Sequence, residues 1–245
     1  MRPLIGTSSK MNLTASEAAA YFDALRPALA DITDRTLFVI PPFTALWVAR
    51  ERLAGSNIAW GAQDVHPEDS GAHTGDISAP MLADLGCTYV EVGHHERRRD
   101  HGETDELVAT KVAAVQRWGM TAVVCVGEQR RLPADAVVET LETQLRAVRE
   151  ADPERVVIAY EPAWAIGIGA EAAPASWVAE AHAAIRAALV RSVAGGQSMP
   201  IIYGGSVSAD RAGALLATSG VDGLFVGRMA LDPTVFAAIA HANAG

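Results

Sequence analysis

Eight short apolar runs, separated by segments with helical spacing, constrain the fold of this chain more than any other feature. The runs are Pro3–Ser8, Thr36–Ile40, Asn57–Gln63, Thr88–Gly93, Thr121–Gly127, Arg155–Glu161, Pro200–Gly205 and Gly223–Gly227. Strands that alternate with helices form a parallel sheet, because each helix carries the chain back to the edge where the next strand begins. Over 245 residues without a polar linker, this pattern predicts one α/β domain, residues 1–245, folded as a closed (β/α)8 barrel.

The segments between the runs carry helix signals. The clearest helices are predicted over Thr14–Leu29, Thr104–Trp118, Ala134–Glu150 and Pro174–Ser192, and Pro133, Pro174 and Pro233 fall near helix starts. Thr14 is followed three residues later by Glu17, which is the spacing of a capping box. The alternative fold, an open doubly wound sheet, requires a glycine-rich fingerprint after the first strand. The chain has Gly6-Thr7-Ser8-Ser9-Lys10 there instead.

The charge balance restricts the partners of the chain. A formal net charge of −9 argues against nucleic acid and against an anionic membrane surface, although a local site on an acidic protein can still bind a small anion. No apolar run is long enough to span a bilayer, and the N-terminus lacks the apolar core of a signal peptide. Cys87 and Cys125 lie in or beside apolar runs, which is typical of buried, inert thiols. We therefore predict a soluble, cytoplasmic protein.

Three polar side chains stand at predicted strand ends: Lys10, His94 and Glu161. The carboxyl ends of barrel strands meet at one face, so these residues are expected to lie together. Each also has a simpler interpretation, as a solvated lysine, a core imidazole and an exposed carboxylate. As a set they suit proton transfer between neighbouring carbons of a sugar phosphate. Glu161 would be the base, with its pKa raised by burial, His94 a neutral electrophile and Lys10 a fixed positive charge.

The charged segment after His94 is predicted to support the site. Glu96 is a natural partner for Lys10, Arg97 is expected to assist it, and Arg98 and Arg99 are expected in solvent. A metal site at His94 and His95 is a weak hypothesis, because adjacent residues on an extended chain point in opposite directions. No metal ion and no organic cofactor are predicted.

Glycine-rich segments after later strands predict a phosphate site and a lid. Gly204-Gly205-Ser206 and Gly227-Arg228 end the seventh and eighth strands, where barrels commonly bind phosphate through backbone N–H groups. Taken singly, these glycines could simply be turn residues. The segment Pro162–Ala172 mixes rigid and flexible residues, so it is predicted to close over the site and exclude water, although a plain surface loop is the alternative.

The chain resembles the triosephosphate isomerase family. The matching segments are Lys10-Met11-Asn12, Pro41-Pro42-Phe43, Gly61-Ala62-Gln63, Ser70–Gly75, Gly93-His94 with Glu96-Arg97-Arg98, Cys125–Glu128, Ala159–Gly169 and Tyr203–Val207. The resemblance implies a TIM barrel in which Glu161 is the base, His94 the electrophile and Lys10 the electrostatic anchor; these roles are those described for the family and do not follow from spacing. It also implies that Gly167, Ser206 and Gly227 supply N–H donors to phosphate. A homodimer is implied too, in which the loop Asp64–Ser78 carries Thr74 into the neighbouring site.

Several residues depart from the family pattern. Ser8-Ser9-Lys10 stands where Asn-Trp-Lys is usual, His95 stands where serine is usual, and Arg228 replaces the second glycine after the last strand. Ile168 replaces a small polar residue of the lid. The form Gly6-Thr7-Ser8 with Lys10-Met11-Asn12 and the ending Gly227-Arg228 resemble the branch that interconverts L-erythrulose 1-phosphate and D-erythrulose 4-phosphate, whereas Ser9 fits neither branch. Ser8 would make room for the larger sugar, and Arg228 would add a donor. The alternatives are triosephosphate isomerase activity itself and a non-catalytic barrel that binds a phosphorylated ligand.

Overall fold

A closed ring of eight parallel strands forms the centre of the computed structural model, which describes residues 2–167 and 169–243. The strands are β1 (Leu4–Ser8), β2 (Thr36–Ile40), β3 (Ile58–Ala62), β4 (Tyr89–Val92), β5 (Thr121–Val126), β6 (Val156–Tyr160), β7 (Ile201–Tyr203) and β8 (Gly223–Val226). They pair in sequence order, and the ring closes where Leu4 of β1 pairs with Gly223 of β8. The predicted (β/α)8 barrel is confirmed, with strand boundaries within two residues of those predicted.

Nine helices surround the ring in the described part of the chain. They are α1 (Ala15–Ala28), α2 (Leu46–Leu53), α3 (Ala79–Asp84), α4 (His95–His101), α5 (Asp105–Arg117), α6 (Ala134–Gln144), α7 (Ala175–Ser192), α8 (Ala209–Leu216) and α9 (Pro233–His241). The capping box before α1 is present, because Thr14 and Glu17 hydrogen-bond to each other's backbone N–H groups.

One predicted helix ends early. The segment Ala134–Glu150 is α-helical only to Gln144 and continues as a 3₁₀ turn over Leu145–Val148. Leu145, Ala147 and Val148 are all buried in this turn. A tighter turn directs these closely spaced side chains toward the core, whereas an α-helix would spread them around its axis.

The core has two layers, because alternate residues of each strand point to opposite faces of the barrel wall. The outer layer fills the space between the strands and the helices. The inner layer fills the barrel with Leu4, Phe38, Ile40, Val123, Cys125, Val157, Ala159, Ile202 and Phe225. Gly6 leaves room for the Phe38 ring, since a Cβ at Gly6 would lie 2.0 Å from Phe38 Cζ. The barrel is therefore a packed core whose polar groups gather at its rim.

Two further sequence expectations concern cysteines and membranes. Cys87 and Cys125 are free and buried, and burial raises the pKa of the Cys87 thiol to about 12, so that thiol stays protonated and weakly reactive. Within residues 2–167 and 169–243, no helix has both the length and the apolar character needed to cross a bilayer.

Candidate active site

His94 occupies the turn by which the chain leaves β4. Gly93 has φ of +70°, a left-handed conformation that favours glycine, and the chain then enters α4 with His94 as its N-cap. His94 Nδ1 accepts a hydrogen bond from the Glu96 backbone N–H at 3.2 Å. The proton of a neutral imidazole must therefore sit on Nε2, which lies 3.3 Å from Glu161 Oε2. Burial lowers the pKa of His94, so the ring is a neutral N–H donor at physiological pH.

Glu161 follows β6 and is buried, with 5% of its surface exposed. Its Oε2 atom lies 3.3 Å from His94 Nε2 and 3.7 Å from His95 Nδ1. Within the described residues, this oxygen has no hydrogen-bond partner, and the same holds for His95 Nδ1. A buried carboxylate oxygen left without a donor is free to take up a proton.

The electrostatics of Glu161 differ from the prediction. Burial by itself raises the pKa of Glu161, but His94, His95 and Lys10 outweigh it, and the pKa is lowered below its usual range. The predicted increase was therefore wrong in sign. Two imidazoles and an ammonium group from distant segments stabilise the charged form more than burial destabilises it. Glu161 is therefore ionised at neutral pH.

Lys10 is held from two sides. Its φ of +51° is unusual for a residue with a side chain, and such strain persists only where the surroundings enforce it. Gln63 Nε2 donates to the Lys10 carbonyl at 2.9 Å, and Lys10 Nζ lies 2.9 Å from Glu96 Oε1. Burial opposes the charge, yet Glu96 and Glu161 raise the Lys10 pKa above its ordinary value. The ion pair expected between Lys10 and Glu96 is present, whereas the contact with Gln63 was not expected.

A cavity of about 700 Å³ opens above these three side chains at the carboxyl ends of the strands. Five further predicted residues line it: Ser8, Gly167, Ser206, Gly227 and Arg228. Ser206 Oγ donates to the Ala165 carbonyl at 2.7 Å, which joins the loop after β7 to the segment after β6. Arg228 is exposed at the cavity edge. The cavity thus combines a neutral N–H donor, a carboxylate and an ammonium group on one side with glycine backbone on the other.

Known proteins of one family match almost the whole chain. The family model described as triosephosphate isomerase matches residues 3–243. A triosephosphate isomerase of a Synechococcus species is 44% identical over 252 aligned residues, covering 100% of this chain and 98% of that relative. One from Coxiella burnetii is 41% identical over 242 residues, covering 96% and 94%. The crystal structure of triosephosphate isomerase from Bartonella henselae superposes with a TM-score of 0.86 at 34% identity and covers 98% of both chains. The chain belongs to the triosephosphate isomerase family.

In this member of the triosephosphate isomerase family, the segment predicted to be a lid is anchored at its base. Trp164 Nε1 donates to Glu128 Oε1 at 2.7 Å, and Trp177 Nε1 donates to the Tyr160 hydroxyl at 2.9 Å. The Arg131 guanidinium lies over both indole rings, 5.2 Å from the Trp164 centroid and 5.5 Å from that of Trp177. Beyond this anchor Gly167 is exposed with φ of +118°, and Ile168 lies outside the described residues.

The far end of the lid segment is held by Arg211, which sequence reasoning missed. Its guanidinium donates to the Ser206 carbonyl at 2.8 Å and to the Ala173 carbonyl at 2.9 Å. Arg211 lies on α8, where an arginine in the sequence looks like an ordinary surface residue. Its role depends on the Ala173 carbonyl, 38 residues away in sequence, which the fold brings to it together with that of Ser206.

The adjacent histidines lie side by side, contrary to the expectation from an extended chain. Their ring centroids are 4.2 Å apart, because the chain turns at Gly93 and enters α4. One ligand atom each from His94, His95 and Glu161 lies within 4.8 Å of the others, which is compatible with a metal ion. However, His94 Nε2 could bind a metal only if Nδ1 carried the proton, and Nδ1 already accepts from Glu96. The tautomer, rather than the chain direction, argues against a metal here.

The three arginines after Glu96 have different surroundings. Arg97 Nε lies 2.7 Å from Asp64 Oδ2, in a cluster that faces away from the catalytic residues, so it gives them no direct support. Arg98 was expected in solvent, but it is partly buried against the turn, where Nε donates to the Gly93 carbonyl at 2.7 Å and Nη1 to Asp105 at 2.5 Å. That expectation was wrong, because the turn at Gly93 leaves a carbonyl group that needs a donor. Arg99 is exposed, as expected.

A further buried acid, Glu91, was missed. It lies on β4 with 3% of its surface exposed, and it lines the cavity beside Ser8. The signal in the sequence is an acid inside the apolar run Tyr89-Val90-Glu91-Val92. Alternation along the strand directs it into the barrel, where the inner layer is otherwise apolar.

Proposed function

We propose that the protein is a triosephosphate isomerase, which interconverts dihydroxyacetone phosphate and glyceraldehyde 3-phosphate without a cofactor. The observation that carries the proposal is the buried pair of His94 and Glu161, with a neutral N–H donor 3.3 Å from an ionised carboxylate. The names of the relatives, at up to 44% identity over the whole chain, support the same activity.

The proposed reaction needs only these side chains. Glu161 removes a proton from the carbon beside the carbonyl, and the electron pair moves to the carbonyl oxygen. His94 Nε2–H donates to that oxygen, and the Lys10 ammonium opposes its developing negative charge. His94 gives its Nε2 proton to that oxygen and regains one from the hydroxyl group on the first carbon, whose oxygen becomes the new carbonyl oxygen. The protonated Glu161 returns its proton to the neighbouring carbon of the cis-enediolate. Every atom and electron is accounted for, so the reaction needs no oxidant or reductant.

The phosphate group is proposed to bind on the opposite side of the cavity. Gly167, Ser206 and Gly227 line the cavity, and their backbone N–H groups are proposed to donate to the phosphate, with the Arg228 guanidinium at the edge. The segment Pro162–Ala172 is proposed to close over the phosphate. Closure excludes water from the enediolate, which would otherwise eliminate its phosphate.

A second candidate substrate is L-erythrulose 1-phosphate, which carries one more hydroxymethyl group on the carbon that loses its proton. Two observations favour it: Ser8 is short and lies at the cavity wall, and Arg228 places a charged donor at the edge. The relatives are named triosephosphate isomerase, so the triose is the better supported substrate. The departures at Ser8 and Arg228 therefore do not by themselves establish a change of substrate.

A homodimer is also proposed. The loop Asp64–Ser78 exposes Thr74 beside a groove of about 430 Å³ that Phe43, Arg97 and Leu107 help to line. A second copy of the chain could place Thr74 in this groove while receiving the same contact in return, as a two-fold interface requires.

The test is a comparison of kcat/KM for dihydroxyacetone phosphate and L-erythrulose 1-phosphate, with Glu161→Gln as the blank. We expect turnover that prefers the triose and that is abolished in the blank. A strong preference for L-erythrulose 1-phosphate would show that the second candidate is the substrate. An active Glu161→Gln protein would overturn the mechanism. Ligand binding without exchange of the carbon-bound hydrogen would favour a non-catalytic barrel.

A further inference from the structure

Glu91 has no part in the proposed reaction, although it lines the same cavity as the residues that do. One of its carboxyl oxygens, one Glu161 oxygen and Cys125 Sγ all lie within 4.8 Å of one another. Glu91 also lines the same cavity as Ser8, His94 and Glu161. Glu91 is therefore an ionisable group that lines the cavity in which the proposed reaction takes place.

The immediate partners of Glu91 leave it incompletely satisfied. The Ser8 hydroxyl favours the charged form of Glu91 and lowers its pKa, and the Cys125 thiol is a weak donor at 3.8 Å from Oε1. The barrel wall beside Glu91 is apolar, as at Val123, which pairs with it on β5, while the charges of Glu161, Lys10 and Glu96 act on it from the rim. A carboxyl group in such surroundings costs free energy unless it is used.

The charge state of Glu91 follows from this position. Burial and the neighbouring Glu161 carboxylate raise the Glu91 pKa to about 8, Lys10 acts in the opposite direction, and Glu96 adds to the increase. At pH 7 the group is therefore mostly a neutral acid, with an O–H donor as well as an acceptor oxygen. The open side on which that donor can find a partner is the cavity.

Ser8 makes this access possible. It ends β1, so its hydroxyl faces the barrel axis near the Glu91 carboxyl group, which arrives from β4 on another side of the ring. A longer side chain at this position would fill the space between β1 and the substrate. With serine there, a carboxyl group from β4 can reach the same space.

We propose that Glu91 is a substrate-contacting residue that, together with Ser8, hydrogen-bonds the free hydroxyl group on the carbon from which Glu161 takes its proton. The inference rests on the proposed function and deepens it. It assigns the site a preference for ketose phosphates that carry this hydroxyl group. Dihydroxyacetone phosphate and L-erythrulose 1-phosphate both have it, whereas hydroxyacetone phosphate does not.

The test compares two ligands that differ only in this hydroxyl group. Dissociation constants for dihydroxyacetone phosphate and hydroxyacetone phosphate are measured by calorimetry in Glu161→Gln, which does not convert the first ligand. They are measured again after adding Glu91→Val, which matches the valines of the inner layer. Glu91→Gln, which has a similar shape and keeps one donor and one acceptor, is the second variant and covers a failure of the valine variant to fold. Cys125→Ala is the matched control, since Cys125 touches Glu91 but is not among the described residues that line the cavity.

We expect Glu91→Val to raise the dissociation constant of dihydroxyacetone phosphate by about tenfold, the effect of one lost hydrogen bond. The dissociation constant of hydroxyacetone phosphate should change by less than about twofold. Glu91→Gln should give a smaller loss in the same direction, and Cys125→Ala should leave the ratio unchanged. An equal loss for both ligands, or a loss for neither, would overturn the inference. Failure of the proposed function has a different signature, because the protein with both glutamates intact would then turn over neither sugar phosphate.

Discussion

At the scale of single residues, the site depends on which atom of His94 holds its proton. The Glu96 N–H occupies Nδ1, so Nε2 presents its proton toward the reacting atoms. The charge states of Glu161 and Glu91 also depend on their neighbours. Glu161 is kept ionised by Lys10 and the imidazoles, whereas Glu91, only a few ångströms away, is kept neutral by burial and by Glu161. Two carboxyl groups in one cavity can thus have different tasks because their neighbours differ.

The raised Glu91 pKa has a consequence for stability. The folded protein keeps the Glu91 proton up to about pH 8, whereas an unfolded chain releases it near the ordinary carboxyl value of 4.5. The folded state therefore binds more protons between these values, and Glu91 costs stability as the pH rises from about 4.5 to about 8. Glu91→Gln should match the original protein in melting temperature near pH 4.5 and exceed it by several degrees, on the order of 5 °C, near pH 8.5. Thermal unfolding followed by circular dichroism measures this difference, and a gap that does not change with pH would contradict it.

At the scale of elements, the base of the predicted lid is a pair of indole rings that meet edge to face and share one cation. Arg131 contacts Trp164, near the start of the segment Pro162–Ala172, and Trp177 on α7 after it, so the guanidinium joins the two ends of the predicted lid. Glu128 adds a hydrogen bond to the Trp164 indole. The two ends of the segment Pro162–Ala172 are thus held in place, while Gly167 between these ends is exposed.

Removal of this cation should loosen the lid. In Arg131→Met, the cation–π contacts are lost, each about 0.5–1 kcal/mol at an exposed site, while most of the side-chain bulk remains. We expect faster proteolysis or amide exchange within residues 162–172 and a fall in kcat of a few fold. Arg130→Met, a change at the exposed neighbouring residue, is the control. Equal exchange rates in both variants would show that Arg131 does not restrain the lid.

At the scale of the whole molecule, the proposed dimer joins two barrels through the loop Asp64–Ser78. This loop lies beside the buried ion cluster in which Lys111 Nζ contacts Asp64 and Glu103, each at 2.6 Å. The cluster therefore ties the start of the loop to the helix α5 that carries Lys111. The loop is anchored at its base, while Thr74 remains exposed and available to a second copy.

The dimer is tested by placing a charge at the centre of the proposed contact. Thr74→Arg should convert a dimer into a monomer in sedimentation equilibrium and lower kcat/KM by at least about tenfold, because an unpaired charge in an interface costs several kcal/mol. Ser219→Arg, at an exposed turn before β8, should change neither property. A fully active monomer before any substitution would refute the proposed arrangement.

Much of the fold and part of the site were predictable from local pattern. Buried strands are continuous apolar runs that end in glycine or proline, so their boundaries and the positions of Lys10, His94 and Glu161 at strand ends could be predicted. Properties that depend on neighbours from other segments were not predictable. The Glu161 pKa was predicted with the wrong sign, Arg98 was placed in solvent, and Glu91 was overlooked, because each depends on groups brought together by other strands and turns.

The sequence by itself determined the barrel, the order of its strands and the rim at which the reactive side chains meet. These features follow from hydrophobic periodicity and from the way parallel strands connect, which are local properties of the chain. Only the tertiary structure decided the tautomer of His94, the opposite charge states of Glu161 and Glu91, and the shared orientation of His94 and His95. Protonation and side-chain direction depend on distances of 3–5 Å between residues far apart in sequence, and only the closed barrel sets those distances.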